Sequence, residues 1–269
     1  MEELVITSMK NPRVKHLLAL QEKSSLRRKE GLFVVEGRRE LEHCLEGGFE
    51  VESVFVNEEL RGKNEGFGGK NEGFGGKVSF TVAPQVYEKM AYRGSTEGII
   101  AIVRTKERRL ADLRLPPNPL IMVLESVEKP GNLGAVLRSA DAARADAVVV
   151  CDALTDLYNP NLIRSSIGAV FTVPTVACSS AECIAFLREH GISILTAQLQ
   201  DSRLYYDTPM SGPTAIVMGT ESTGLTSQWR EAATAHIRIP MLGRLDSLNV
   251  SVSAAILLFE AVRQRQTTC

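Results

Sequence analysis

Leu120-Ile-Met-Val-Leu-Glu-Ser-Val-Glu-Lys-Pro-Gly-Asn-Leu-Gly-Ala-Val-Leu-Arg-Ser-Ala140 reads as a strand, a turn and a helix in succession. Residues 120–124 are apolar without alternation, the pattern of a strand covered on both faces. Pro130 and Gly131 make the turn, Asn132 offers a cap-like side chain, and Leu133, Val136, Leu137 and Ala140 then recur on one helical face. Outward from this unit the alternation continues. Strand-like runs fall at 147–150, 192–197, 215–218 and 236–240, with helical periodicity at 181–190 and 227–234. The expected fold class is α/β, with a mostly parallel C-terminal sheet.

Toward the amino terminus, Pro116, Pro117 and Pro119 interrupt any regular element, so 108–119 reads as a linker. It separates a larger domain over 120–269 from a smaller N-terminal α/β domain over 1–107. In the smaller domain an early helix surrounds 17–20, a short strand spans 31–37, and a helix over 38–45 ends at Gly47-Gly48. Further strands are expected at 51–56 and 98–103. A tandem repeat, Gly62-Lys-Asn-Glu-Gly-Phe-Gly68 and Gly69-Lys-Asn-Glu-Gly-Phe-Gly75, has too short a period for a solenoid unit. It reads as a duplicated flexible loop. The sharper alternative is a nucleic-acid-contacting loop, with Phe67 and Phe74 stacking on bases.

The 269 residues, 44% apolar and 23% charged, have the balance of a soluble globular protein with room for two domains. No apolar stretch approaches the roughly 20 residues that cross a bilayer, and the start of the chain lacks an export signal. A cytoplasmic protein without a membrane partner is expected. Cys44, Cys151, Cys178, Cys183 and Cys269 are odd in number and scattered, with no CxxC pair, so reduced thiols and no metal site are expected. The net charge of −1 gives no overall basic field. Two local patches remain: Lys10, Arg13, Lys15, Lys23, Arg27, Arg28 and Lys29, and Arg104, Lys106, Arg108, Arg109 and Arg114. A phosphate backbone and a solvated face account for them equally. Trp229 is expected on a helix surface.

Three segments lie where a parallel sheet places ligands, just past the carboxyl ends of strands. The first opens the helix after Gly131, where free amides favour an anion and Arg138 can present a planar fork to phosphate. The second is Gly219-Thr-Glu-Ser-Thr-Gly224, in which glycines permit close backbone approach around Glu221. The third runs from Ile239 and Pro240 to Ser247-Leu-Asn-Val-Ser251 at the start of a helix that is apolar nearly all round. Such a helix must be covered on most sides, and a subunit interface is one way to cover it.

In this order and spacing the three segments resemble the motifs of the SpoU/TrmH family of RNA ribose 2′-O-methyltransferases, over 120–265. Phe33-Val-Val-Glu-Gly-Arg38 resembles the ribosomal-protein-like RNA-binding domain that many members carry in front, so 1–107 is expected to bind the RNA substrate. The resemblance implies a deep trefoil knot, which no sequence pattern shows and which is nearly absent from proteins at large. It implies S-adenosyl-L-methionine as cofactor, with Gly219, Ile239 and Leu248 lining its pocket and Thr196 or Ala197 near the adenine. It also implies a homodimer with the active site at the subunit interface, acting on ribosomal or transfer RNA. Arg138 is the family's proposed base, with Asn132, Glu221, Ser247 and Asn249 holding ribose and phosphate. A guanidinium has donors and no acceptor, which favours a clamp on phosphate and developing alkoxide. Against a nucleotide-dependent oxidoreductase stands the absence of GxGxxG spacing at Gly131-Asn-Leu-Gly134. A non-catalytic RNA-binding protein of the same fold is the other alternative.

Overall fold

A computed structural model describes residues 5–64, 78–92, 97–220, 223–245 and 247–267. Most of the tandem repeat, with Phe67 and Phe74, lies outside the described residues, as does Glu221. The chain forms two compact units, Met1–Lys106 with Asp156–Thr172, and Glu107–Thr155 with Val173–Cys269.

The first unit contains α1 (Pro12–Glu22), α2 (Ser24–Glu30), β1 (Leu32–Glu36), α3 (Arg38–Glu46), β2 (Val51–Asn57), β3 (Val78–Val82), α4 (Pro84–Met90) and β4 (Ile99–Arg104). Asn11 caps α1 by accepting from the Arg13 amide, with Pro12 at the first helical position, and Gly31 ends α2 at φ 65. The sheet runs β1-β4-β2-β3, antiparallel except for the β2/β3 pair. Val14, Leu17, Leu20, Val34, Phe55 and Ile100 are buried at its centre.

The N-terminal part of the first unit ends at Lys106, one residue before the expected limit, and the departure from a linear division is at residues 156–172. Residues 156–172, with two short helices at Pro160–Ser165 and Ala169–Thr172, pack into the first unit. Tyr158 stacks on Phe33 with centroids 4.4 Å apart, and Phe171 meets Phe49 edge-on at 5.1 Å. Arg27 is buried, its Nε 2.6 Å from Asp156 Oδ2 and its Nη1 donating to the carbonyls of Leu20 and Gln21. Arg27 therefore leaves the basic patch read from the sequence. The expected linker is also no free tether, because Leu110, Leu113 and Leu115 lie half-buried against the core of the second unit.

The second unit contains β5 (Leu120–Glu125), α5 (Pro130–Ala142), β6 (Ala147–Cys151), β7 (Thr175–Cys178), α6 (Ser180–Glu189), β8 (Ser193–Ala197), β9 (Arg203–Leu204), β10 (Thr214–Met218), α7 (Ser227–Ala232), β11 (Ala235–Arg238) and α8 (Val250–Thr267). Its sheet runs β7-β6-β5-β10-β8-β11-β9, and every strand pair is parallel. All seven carboxyl ends thus share one edge. Strands β5, β6 and β10 are buried throughout, as their continuous apolar runs require. Trp229 is not on a helix surface: it is fully buried, and its indole N–H donates to Ser180 Oγ at 2.9 Å. A large apolar ring is covered at little cost when its single donor has a partner. No helix among the described residues is long and apolar enough to cross a membrane.

Helix α8 packs along α5. Its far end is fixed by Arg265, which donates to the carbonyls of Met210, Asn118, Pro119 and Gly212. In the first unit, Asp156→Ala leaves the Arg27 guanidinium buried without its carboxylate. We expect a loss of roughly 3 kcal/mol, the lower end for breaking a buried ion pair, because two carbonyls still accept from Arg27. The midpoint of urea unfolding measures it.

Candidate active site

Strand β10 ends against its own continuation. A Cβ built on Gly219 would lie 2.3 Å from the carbonyl oxygen of Gly224 and 2.6 Å from the amide nitrogen of Leu225. Only glycine permits that approach. Thr220 bridges to Gly224, whose amide donates to the Thr220 carbonyl at 3.1 Å, and Thr220 Oγ1 accepts from the Thr223 amide at 3.0 Å. Gly224 itself sits at φ 68. Beyond the loop, Thr226 is held by the buried carboxylate of Glu125 at the end of β5. The Thr226 amide donates to Oε2 at 2.9 Å and its hydroxyl to Oε1 at 2.7 Å. The loop is therefore fixed at both ends.

Around it lies a cavity of about 460 Å³, on the edge formed by the carboxyl ends of β8, β10 and β11. Gly219, Thr220, Ala197, Ile239 and Leu248 line it, and Met218, Leu225, Ile237 and Leu257 supply apolar surface. The volume lies within the range of small-ligand sites. Gln198 Oε1, at the rim, is buried and accepts no hydrogen bond from a described residue. A buried acceptor without a donor is costly, so it marks a place where a ligand amine or hydroxyl fits. A second cavity of about 160 Å³ adjoins, lined by Glu128, Lys129 and Asn132, with Gly219, Thr220 and Val250 common to both.

The structure thus gathers segments distant in sequence. Asn132, Gly219, Ser247 and Leu248 line one cavity or the other, and Asn249 Nδ2 donates to Asn132 Oδ1 at 3.2 Å. That bond ties the start of α8 to the start of α5. Thr196 does not line the cavity: it is buried in the sheet, with its hydroxyl 2.6 Å from His236 Nδ1. Arg138 lines neither cavity. It is exposed on α5, six residues past Asn132 and so about 240° around the helix from it. Glu221 falls outside the described residues. Sequence reading missed Gln198 and Lys129. Gln198 follows the last residue of β8, where the rule that ligands sit past strand carboxyl ends would have found it.

The model of the SpoU rRNA Methylase family matches residues 119–259, and that of the MRM3-like substrate binding domain matches residues 11–101. The 23S rRNA (guanosine-2′-O-)-methyltransferase RlmB of Vibrio parahaemolyticus is 38% identical over 65% of this chain and 73% of its own length. The 23S rRNA (guanosine(2553)-2′-O)-methyltransferase RlmP of Bacillus subtilis is 29% identical over 94% of this chain and 97% of its own. Among solved structures, an RNA 2′-O ribose methyltransferase is 41% identical with a TM-score of 0.81, covering 98% of this chain and 100% of its own. An AdoMet-bound rRNA methyltransferase from Sinorhizobium meliloti is 28% identical with a TM-score of 0.87, covering 98% of both chains. Fold and comparisons together define an α/β RNA 2′-O-methyltransferase that uses S-adenosyl-L-methionine. Within that class, the chain belongs to the SpoU rRNA methylase family.

Gly219→Ala forces the loop away from Gly224. We expect S-adenosyl-L-methionine binding to weaken by at least about tenfold, or about 1.4 kcal/mol, in isothermal titration calorimetry, with far-ultraviolet circular dichroism unchanged.

Proposed function

We propose that this chain methylates a ribose 2′-hydroxyl of ribosomal RNA, with S-adenosyl-L-methionine as donor, and that it works as a homodimer. The observation that carries this reading is the meeting of three sequence-distant loops around one cavity, beside a second cavity that holds Asn132 and Lys129. S-adenosyl-L-methionine supplies an electrophilic sulfonium methyl when bound. Backbone at Gly219 and Ile239 and the side chains of Leu248 and Leu225 would hold it, while Gln198 Oε1 would accept from its amine.

Asn132, Ser247 and Asn249 would orient the ribose, and Lys129 would meet the adjoining phosphate. Such positioning contributes much of the acceleration in a transfer that needs an in-line oxygen. Exposed Lys10, Lys15, Lys23, Arg28 and Lys29 in the first unit give a surface for the RNA backbone. Guanosine is the first nucleotide to test, because the rRNA relatives named above act on guanosine.

The dimer is supported by exposed apolar side chains on and before α8. Leu242 is 96% exposed, Leu245 78%, Val252 48% and Phe259 49%. A second copy covers a surface of this kind at least cost to solubility. Arg138 then acts on the cavity of the partner subunit, clamping phosphate and developing alkoxide while the proton leaves through phosphate or water. The threading expected of the family belongs to the same proposal: β11 lies inside the sheet between β8 and β9, and Asn249, beyond it in the chain, meets Asn132 at the start of α5.

Methylation of rRNA transcripts from a strain lacking the gene, with ribose methylation mapped, tests the activity. No donor uptake would favour the non-catalytic RNA-binding alternative. Arg138→Lys is expected to lower kcat at least about a hundredfold, because lysine cannot form the planar fork. At a donor concentration too low to fill the Gly219→Ala cavity, mixing Arg138→Ala and Gly219→Ala chains should restore about a quarter of wild-type activity if Arg138 serves the partner's cavity, since half the dimers are mixed and each has one complete site. No restoration would place Arg138 in the cavity of its own chain.

A further inference from the structure

Three of the five cysteines, read from the sequence as scattered, meet in the second unit. Cys151 closes β6 and Cys178 closes β7, and the two are register partners on adjacent parallel strands. Cys183 lies one turn into α6 and turns back onto them. The three Sγ atoms lie within 4.8 Å of one another. Cys151 and Cys183 are fully buried, and Cys178 is half-buried at the mouth of the cluster.

We propose that Cys151, Cys178 and Cys183 form a binding site for a soft, thiophilic metal ion of the Zn(II) class. Sulfurs bound to zinc stand at about 2.3 Å from it, which spaces three of them about 3.8–4.0 Å apart. The cluster therefore needs a closure of under about 1 Å per pair. A disulfide needs about 2.05 Å between two sulfurs, on a pair pinned by parallel register, and would leave the third thiol unused. The carboxylates of Asp152 and Glu182 act electrostatically on Cys178, bringing negative charge to the open side. That field favours an incoming cation. As three metal–sulfur bonds form, the three thiol protons pass to solvent, and a water on the half-buried side of Cys178 completes a four-coordinate shell. The cavity that holds the methyl donor shares no residue with this cluster.

The test uses the full chain, reduced, chelator-stripped and titrated with Zn(II) or with Co(II) as a spectroscopic probe. We expect one equivalent per chain, thiolate-to-cobalt charge-transfer absorption in the near ultraviolet, protection of the half-buried Cys178 from a thiol reagent, and a raised Tm. Cys178→Ser and Cys183→Ser should each weaken uptake at least about tenfold while donor binding shows them folded, and Cys44→Ala should leave uptake unchanged. The proposal is overturned if the wild-type chain takes up no metal, if uptake survives both serine variants, or if the bound cobalt shows no thiolate band.

Discussion

The close passage of Gly219 against the Gly224–Leu225 peptide is the constraint on which the site depends. With no Cβ in the way, the chain leaving β10 folds back on itself within a few residues and is tied there by Thr220. Both cavities share Gly219 and Thr220, so this fold-back sets the wall between them. It holds its place because the next element is anchored independently. Glu125 is 2% exposed, and a buried carboxylate costs several kcal/mol unless donors surround it. Both Thr226 donors supply that need, so the energy that would destabilise Glu125 instead fixes the loop's exit.

A second anchor acts from the other end of the chain. The four carbonyls that accept from Arg265 lie around the start of β5 and the approach to β10. Gln264 adds the Met210 amide and the Thr208 carbonyl. Desolvation by burial lowers the Arg265 pKa, as expected of a guanidinium drawn partly out of water for these bonds. With its C-terminal turn fixed there and its flank on α5, α8 has little freedom at its first turn. Asn249 consequently meets Asn132 across 117 residues of sequence.

How much of this the sequence displayed follows from which interactions are local. The continuous apolar runs of β5, β6 and β10 announced a sheet buried on both faces, and the glycines and caps after them announced the loops. Strand order is not local: nothing in the spacing shows that β10 inserts between β5 and β8. Strands β7 and β9 are four and two residues long, too short for periodicity to register. Residues 156–172 looked like part of the larger domain because they follow β6, yet their tie is Asp156 to Arg27, 129 residues away. Arg138 and Asn132 share a helix and a motif, but helical geometry turns them apart. The cysteines show the same limit, because parallel register, not spacing, brings Cys151 beside Cys178.

The thiol cluster and the larger cavity occupy different strands of one carboxyl edge, and hydrogen bonds run from Asp152 to α7. Asp152, next to Cys151, accepts from the Ser180 hydroxyl at 2.5 Å, and that hydroxyl accepts from Trp229 at 2.9 Å. Trp229 belongs to α7, the helix that Thr226 begins and Glu125 holds. A hydroxyl has one proton to give, and the shorter contact assigns it to Asp152 rather than to Glu125 Oε1 at 3.3 Å. Glu125 is thereby left to the two Thr226 donors. Buried networks of this kind are stiff because each member's alternatives are unsatisfied groups. This part of the sheet's edge is therefore one bonded network, in which Asp152, a buried tryptophan and the segment that leaves the loop closed at Gly219 answer to the same few hydrogen bonds.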